Sequence, residues 1–384
     1  MTRVDEVVRQ IRAELASGRH GRPSDRFMAV RQVSARYGVS LVTAQRVVHR
    51  LKQDGLLIGD STNRSLISRT AVEQSEQVAP QETEEASPRR LGMIVTNIVN
   101  PFFSRLCRHV QHSAAMLGYQ VLMAGSQYDC EREEKAVNSF LQIGIDGLII
   151  VPGFDEACKR LYRRLIEKGV RLVLIGRRMD GMATDFVTAN NFGGGAAMAS
   201  HLLGLGYHSF GYIRFGDRLK RDDRLSGFRA ALLEEDVALD AKDIVSAEGG
   251  TIEHGRLAMA ELMRGRSRPR AVFAYHDLLA IGALQYCQEN GISVPDEVAI
   301  AGFDNLPEGR VTTPSLTTVG YPIESMARLA VQCVIEHRTQ GPPWRSDHRI
   351  LLEPNLVVRR STDPTASAQD SSTVLTGDLH HELF

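Results

Sequence analysis

Met28–Ile58 reads MAVRQVSARYGVSLVTAQRVVHRLKQDGLLI, and its pattern is helix, tight turn, helix, wing. Val30–Tyr37 predicts a short helix, after which Gly38 takes the turn at little steric cost. Ser40 is a good N-cap for the helix that follows. In that helix Ala44, Val47, Val48 and Leu51 fall at helical spacing and form one core-facing stripe. Arg46, His49 and Arg50 occupy the opposite face, with Thr43 and Gln45 on its shoulders. An apolar face backed by a polar, basic N-terminal half suits a helix that enters a DNA major groove. The plainer reading is a small helical bundle with a charged surface helix. That reading does not require turn, cap, stripe and wing to coincide, and here they do.

Charge points the same way. Residues 1–70 hold 13 Lys and Arg against 6 Asp and Glu, whereas the whole chain balances at 46 against 46. A basic end on a neutral chain is the electrostatic footprint of a nucleic-acid module. Arg31, Arg36, Arg46, Arg50 and Arg64 are the candidate phosphate or base contacts; their alternative is ordinary solvated surface. Val42 can touch a thymine methyl, and Gln45 and Arg46 can reach base edges. Ser40 and Thr43, at the start of the same helix, complete the candidate DNA-binding set.

This stretch resembles the winged helix-turn-helix of the GntR family. Arg31 matches that family's arginine in the run before the turn, Tyr37-Gly38-Val39-Ser40 its turn, and Thr43 its recognition-helix threonine. Asp54-Gly55-Leu56-Leu57 matches its step into the wing. Leu41 stands where an arginine is usual, Val42 where threonine is common, and Gly59–Ile67 lacks the paired glycines.

The remaining length divides further. At 384 residues and 43% apolar content the chain suits two or three domains with large cores. The N-terminus carries a charged amphipathic helix (Val4–Ala16) rather than an apolar leader, and no apolar run is long enough for a membrane span. Cys107, Cys130, Cys158, Cys287 and Cys333 are odd in number and show no ligand spacing, so reduced thiols in a cytoplasmic protein are expected. Residues 71–90 hold five glutamates and two prolines and read as a linker, able to span up to about 65 Å when extended. Residues 362–384 turn to Ser, Thr, Asp and Ala and are expected to be disordered.

Between them, apolar strands alternate with amphipathic helices. Strands are expected at Leu91–Thr96, Gln120–Ala124, Gly147–Val151, Leu172–Ile175, Phe210–Ile213, Ala271–Tyr275 and Val298–Gly302. This alternation predicts an α/β fold with doubly wound parallel sheets, in two lobes with a cleft between them. Ligands in such folds sit at the carboxyl ends of the strands.

At these residues the chain resembles the effector-binding domain of the LacI/GalR family, itself similar to periplasmic sugar-binding proteins. Seven motifs run in the family's order over about residues 91–361. They are Asn100-Pro101-Phe102-Phe103, Gly144–Ile150, Asn190–Gly194, Leu205-Gly206-Tyr207, Arg224–Phe228, Ile292–Asn305 and Pro314–Val319. The resemblance implies lobe 1 at about 91–188 and 321–340, lobe 2 at about 189–318 and 341–361, and hinge crossovers near Ala189, Thr318–Tyr321 and Gly341–Pro342. It also implies effector contacts from Phe103, Arg177, Arg224, His276 and Asp304. Gly176 stands where an aspartate is usual, and His276 where an asparagine is. Asp277 is expected to cap the next helix. Plain core for Phe103, a surface ion pair for Arg224 and a structural histidine at 276 are the alternatives. The Gly193-Gly194-Gly195 run lacks phosphate-loop spacing and reads as helix entry.

No hydrolase, zinc-protease, Walker or kinase signature is present, and no cofactor or metal is implied. Together these readings predict a cytoplasmic, effector-responsive transcriptional repressor of carbohydrate genes. Its partners are double-stranded operator DNA, a sugar or sugar derivative, and a second copy joined through the sensor domain, with no membrane. The alternative is a ligand-binding protein or enzyme with a fused DNA-binding head.

Overall fold

The computed structural model describes residues 3–16, 20, 25, 27–54, 56–59, 65–67, 89–153, 155–182, 184–216, 221–265, 268–336, 348–366 and 371–373. The chain divides into two compact units, Met1–Ser87 and Pro88–Phe384.

In the first unit, helices α1 (Arg3–Ala16), α2 (Val30–Tyr37) and α3 (Leu41–Gln53) enclose one apolar core. Val33 from α2 and the stripe Ala44, Val47, Val48 and Leu51 from α3 are all buried in it. Gly38 ends α2 in the left-handed region at φ +60°, and its N–H donates to the Ser34 carbonyl. The Ser40 hydroxyl caps α3 by accepting from the Thr43 N–H at 3.2 Å. Strands β1 (Leu57–Gly59) and β2 (Ser65–Ile67) form an antiparallel pair with Leu57 opposite Ile67.

The second unit opens with β3 (Arg90–Val95), α4 (Pro101–Ala115), β4 (Gln120–Gly125), α5 (Cys130–Ile143), β5 (Gly147–Ile150), α6 (Glu156–Glu167), β6 (Leu172–Ile175) and β7 (Asp185–Ala189). It continues with α7 (Asn191–Gly204), β8 (Phe210–Phe215), α8 (Asp223–Glu234), β9 (Ile244–Ala247), α9 (Ile252–Arg264), β10 (Ala271–Ala274), α10 (Asp277–Glu289) and β11 (Ala299–Phe303). It ends with β12 (Thr317–Gly320), α11 (Ile323–Glu336), β13 (Arg349–Leu352), β14 (Asn355–Val358) and β15 (Ser371–Thr373).

Two sheets result. The first has order β13-β7-β6-β5-β3-β4 and is parallel throughout. The second has order β15-β14-β12-β11-β10-β8-β9, with antiparallel pairing only at β12–β14 and β14–β15. Both faces of each sheet are covered, which is why the strands read as continuous apolar runs. In β3, Met93 packs with α4 and α11 on one face and Ile94 with α5 and α6 on the other. In β10, Val272 faces α9 and α10, and Phe273 faces α7 and α8.

The lobe boundaries need one correction. Residues 341–361 do not all belong to lobe 2, because β13 pairs in parallel with β7 of lobe 1, Arg349 opposite Phe186. The third crossover is therefore Glu353–Pro354, between β13 and β14, and not Gly341–Pro342, which lies outside the described residues. The other two crossings pass through Asn190 and through Tyr321–Pro322. The tail is also not disordered from its first residue. Thr362 is buried, with its hydroxyl 2.7 Å from that of Thr317, and β15 pairs with β14.

Candidate functional site

In the first unit Arg31, Val42, Gln45, Arg46 and Arg50 are exposed, and Thr43 is half-buried. Leu41 and Val42 are 52% and 60% exposed at the start of α3, large apolar groups that the core does not use. Ser40 is committed to its cap, with its hydroxyl also 2.9 Å from that of Thr43. Arg50 lies 3.6 Å from Asp54, a weak exposed pair. Arg64 lies outside the described residues.

In the second unit the carboxyl ends of β3 to β6 face those of β8, β10 and β11 across a cleft of about 570 Å³. That size suits a small-molecule site. All five predicted effector residues line it.

Arg224 lies at its floor and is buried, not a surface ion-pair residue. Asp222 caps the helix that carries it, accepting from the Leu225 N–H at 3.0 Å and from the Tyr212 hydroxyl at 3.0 Å. The helices α7 and α8 meet almost without clearance. A Cβ on Gly195 would stand 2.0 Å from the Arg224 carbonyl oxygen, and one on Gly227 1.9 Å from that of Phe192. The glycine run is thus a helix–helix contact at the helix entry, and it sets the depth of Arg224. The guanidinium donates to the Asn191 Oδ1 at 3.0 Å, to the Tyr321 hydroxyl at 2.8 Å and to the Tyr275 carbonyl. It lies 3.9 Å from the centre of the Phe303 ring and 4.3 Å from that of Tyr275.

Asp304 follows β11 and stands 3.5 Å from Arg224. Its φ of +114° is unusual for a residue with a side chain, and the loop around it is pinned from three sides. Asp277 accepts from the Leu306 N–H at 2.7 Å and the Thr318 hydroxyl at 2.6 Å. Arg105 of lobe 1 donates to the Asn305 carbonyl at 2.9 Å, and Arg359 to its side chain at 2.8 Å. Burial pushes the Asp304 carboxyl up to about 7, against the pull of Arg224, Arg105 and Arg177.

The capping role expected of Asp277 falls to its neighbour. His276, not Asp277, caps α10, its Nδ1 accepting from the Leu279 N–H at 3.3 Å. Asp277 is fully buried and serves the Asp304 loop instead. With Nδ1 an acceptor, the imidazole proton resides on Nε2. That atom faces Gly250, whose Cβ, if present, would stand 2.9 Å away. Burial, with Arg224 and Arg177, takes the His276 pKa down to about 3, so the ring is neutral.

On the lobe 1 side, Arg177 donates to the Pro152 carbonyl at 3.1 Å and lies 5.9 Å from the Tyr128 ring centre. Phe103 is both core and cleft wall: buried, and edge-on to Phe102 at 5.2 Å. Five further groups line the cleft that no sequence motif assigns to it. Phe215 and Tyr275 stack at 5.6 Å, Tyr128 stands 6.0 Å from Phe215, and the Tyr321 hydroxyl donates to Asn191 at 2.7 Å. Phe215 and Tyr275 sit at or just beyond strand ends, a position that could have flagged them. Tyr321 falls at an expected hinge and Asn191 in a motif, but neither signal assigns a side chain to the cleft.

Among the described residues no helix is long and apolar enough to cross a membrane, and no cluster of His, Cys, Asp and Glu could hold a metal ion.

Residues 199–362 match the periplasmic binding protein-like domain. The chain is 30% identical over 338 residues to the HTH-type transcriptional regulator DegA of Bacillus subtilis, covering 85% of this chain and 96% of that protein. It is 28% identical over 336 residues to the regulator GalS of Salmonella typhimurium, covering 87% and 96%. A solved structure of a putative LacI-family transcriptional regulator from Sanguibacter keddieii is 32% identical, with a TM-score of 0.62, covering 71% of this chain and 98% of that one. All three are named as regulators of transcription.

Proposed function

Because the chain belongs to the LacI/GalR family of transcriptional regulators, we propose that it is a repressor of carbohydrate genes which a sugar or sugar derivative releases from its operator. The observation that carries this reading is Arg224 beside Asp304 at the floor of an aromatic-walled cleft between two lobes. A relative named as a ribose operon repressor supports the sugar class. Effector entry closes the lobes about the three crossovers, at Asn190, Tyr321–Pro322 and Glu353–Pro354.

The DNA reader is a winged helix-turn-helix of GntR type. The antiparallel β1–β2 pair after α3 and the capped turn before it support this assignment. Arg31, Val42, Thr43, Gln45, Arg46, Arg50 and Arg64 are the DNA-contacting set, with Ser40 shaping the helix start. Two protomers read a pseudo-palindrome in the cytoplasm, joined through the sensor. Met116, Leu117 and Met123, exposed on or beside the edge strand β4, supply apolar surface for that contact.

The Arg224→Ala variant tests the cleft. Operator binding should survive, while the response to every effector that releases the wild type should disappear. Normal effector release by the variant would contradict the assignment.

A further inference from the structure

We propose that Arg105 is a positioning residue for the effector site: from lobe 1 it holds the strained turn of lobe 2 that carries Asp304, so the Asp304 contact depends on a side chain outside the cleft and in the other lobe. The inference rests on the cleft being the effector site and adds a residue that acts on it from behind.

The anchors of the Asp304 turn are divided between the lobes. Asp304 and Asn305 are consecutive residues with side chains at positive φ, +114° and +51°. Such a pair persists only where its surroundings over-determine it. Lobe 2 holds the N–H groups. That of Asp304 donates to the Val319 carbonyl at 2.7 Å, that of Asn305 to the Thr318 hydroxyl at 3.3 Å, and that of Leu306 to Asp277 at 2.7 Å. The Asn305 carbonyl goes to lobe 1 instead, accepting from Arg105 at 2.9 Å. Leu306 crosses as well. It is fully buried in the apolar cluster of lobe 1 that contains Phe102 and Phe103 of α4 and Met326 of α11.

Arg105 acts from outside the cleft. It is half-buried on α4 and is not part of the cleft lining, whereas Phe103, two residues earlier on the same helix, is. Pro101 opens that helix and Asn100 caps it, accepting from the Phe102 N–H at 2.9 Å. The cleft wall at Phe103 and the brace at Arg105 are therefore set by one capped first turn. Burial disfavours the Arg105 charge; Asp304 and Glu308 of lobe 2 support it, and Arg108 and Arg310 oppose it. A bond from a charged donor is stronger than one between neutral groups, which suits a contact that must offset backbone strain. Asp277 and Arg359 brace the same turn, but both belong to lobe 2, so only the loss of Arg105 would carry an effect from one lobe to the other.

Hydrogen–deuterium exchange of the full-length, ligand-free protein tests the positioning. Arg105→Met should speed exchange at residues 304–306 roughly ten-fold or more, with β10 and the rest of α4 unchanged. Arg105→Lys, which keeps a charged donor, should recover part of the protection. Unchanged exchange at 304–306 overturns the inference. So does a rise spread through lobe 1, the mark of a residue needed only by its own helix. Calorimetry with D-ribose, D-glucose and D-galactose tests the link to the effector. For whichever binds most tightly, Arg105→Met should weaken binding roughly ten-fold in the wild-type background and hardly at all beside Asp304→Asn. Equal losses in the two backgrounds overturn the claim that Arg105 acts through Asp304. Asp304→Asn binding like the wild type removes Asp304 from the effector contacts, and silence from all three sugars counts against the sugar reading. In either case the exchange result alone decides whether Arg105 positions the turn.

Discussion

Replacing Asp304 by asparagine should stabilise the protein increasingly as pH rises from about 4 to 7, and by a constant amount above that. Burial holds the Asp304 carboxyl at about 7 in the folded chain, against 3.8 for an unperturbed aspartate. Below pH 4 both folded and unfolded chains are protonated there, and the residue adds no pH dependence. Between those values the unfolded chain ionises while the folded chain keeps its proton, so stability falls as pH rises. Above 7 the loss is complete, and three pH units at 1.36 kcal/mol each amount to about 4 kcal/mol. That figure already includes the attraction of Arg224, which stands 3.5 Å away and lowers the carboxyl without overcoming burial. Asparagine has no proton to lose, and Arg224 keeps its bonds to Asn191, Tyr275 and Tyr321. Urea unfolding followed by circular dichroism at pH 5 and pH 8 reads the difference. The Asp304→Asn variant should already be more stable by about 1.5 kcal/mol at pH 5, and its midpoint advantage should grow by roughly 1 M between pH 5 and pH 8. Parallel curves at the two pH values, or a variant less stable at pH 8, would refute the reasoning.

Two further substitutions probe other parts of the structure. Arg46→Ala removes an exposed guanidinium from the groove face of α3; operator affinity should fall by roughly 10- to 100-fold in anisotropy titrations, with the sensor's thermal unfolding unchanged. Gly195→Ala places a Cβ 2.0 Å from the Arg224 carbonyl and should cost about 1–3 kcal/mol along with effector affinity, measured by thermal unfolding and calorimetry. Gly204→Ala, near the end of the same helix and facing open space, is the control and should be neutral or slightly stabilising.

The strands buried on both faces were legible because nearly every residue in them is apolar, as in Gly147–Ile150 and Leu172–Ile175. Strand β12 (TTVG) escaped because its buried threonines bond inward: Thr317 donates to the Arg359 carbonyl and Thr318 to Asp277. Strand β13 alternates exposed and half-buried residues at a sheet edge, so no apolar run marks it. Without a marked strand there, nothing in the sequence separates the crossover at Glu353–Pro354 from the expected one at Gly341–Pro342. In the head, stripe, turn and cap could be read because each rests on local geometry alone. The cleft was legible where a motif named a residue, as for Arg224 and Asp304. The passing of the cap from Asp277 to His276 was not, because it depends on the Asp304 loop 27 residues downstream, which claims the carboxylate and leaves the imidazole to cap the helix.

The coupling between cleft and reader is measured most directly by titrating full-length protein onto fluorescent operator DNA, with and without saturating effector, and by titrating effector with and without operator. Linkage requires the two factors to be equal. The effector should weaken operator binding roughly 5- to 150-fold, and the operator should weaken effector binding by the same factor. An effector that binds the cleft tightly yet leaves operator affinity unchanged would contradict the regulatory role.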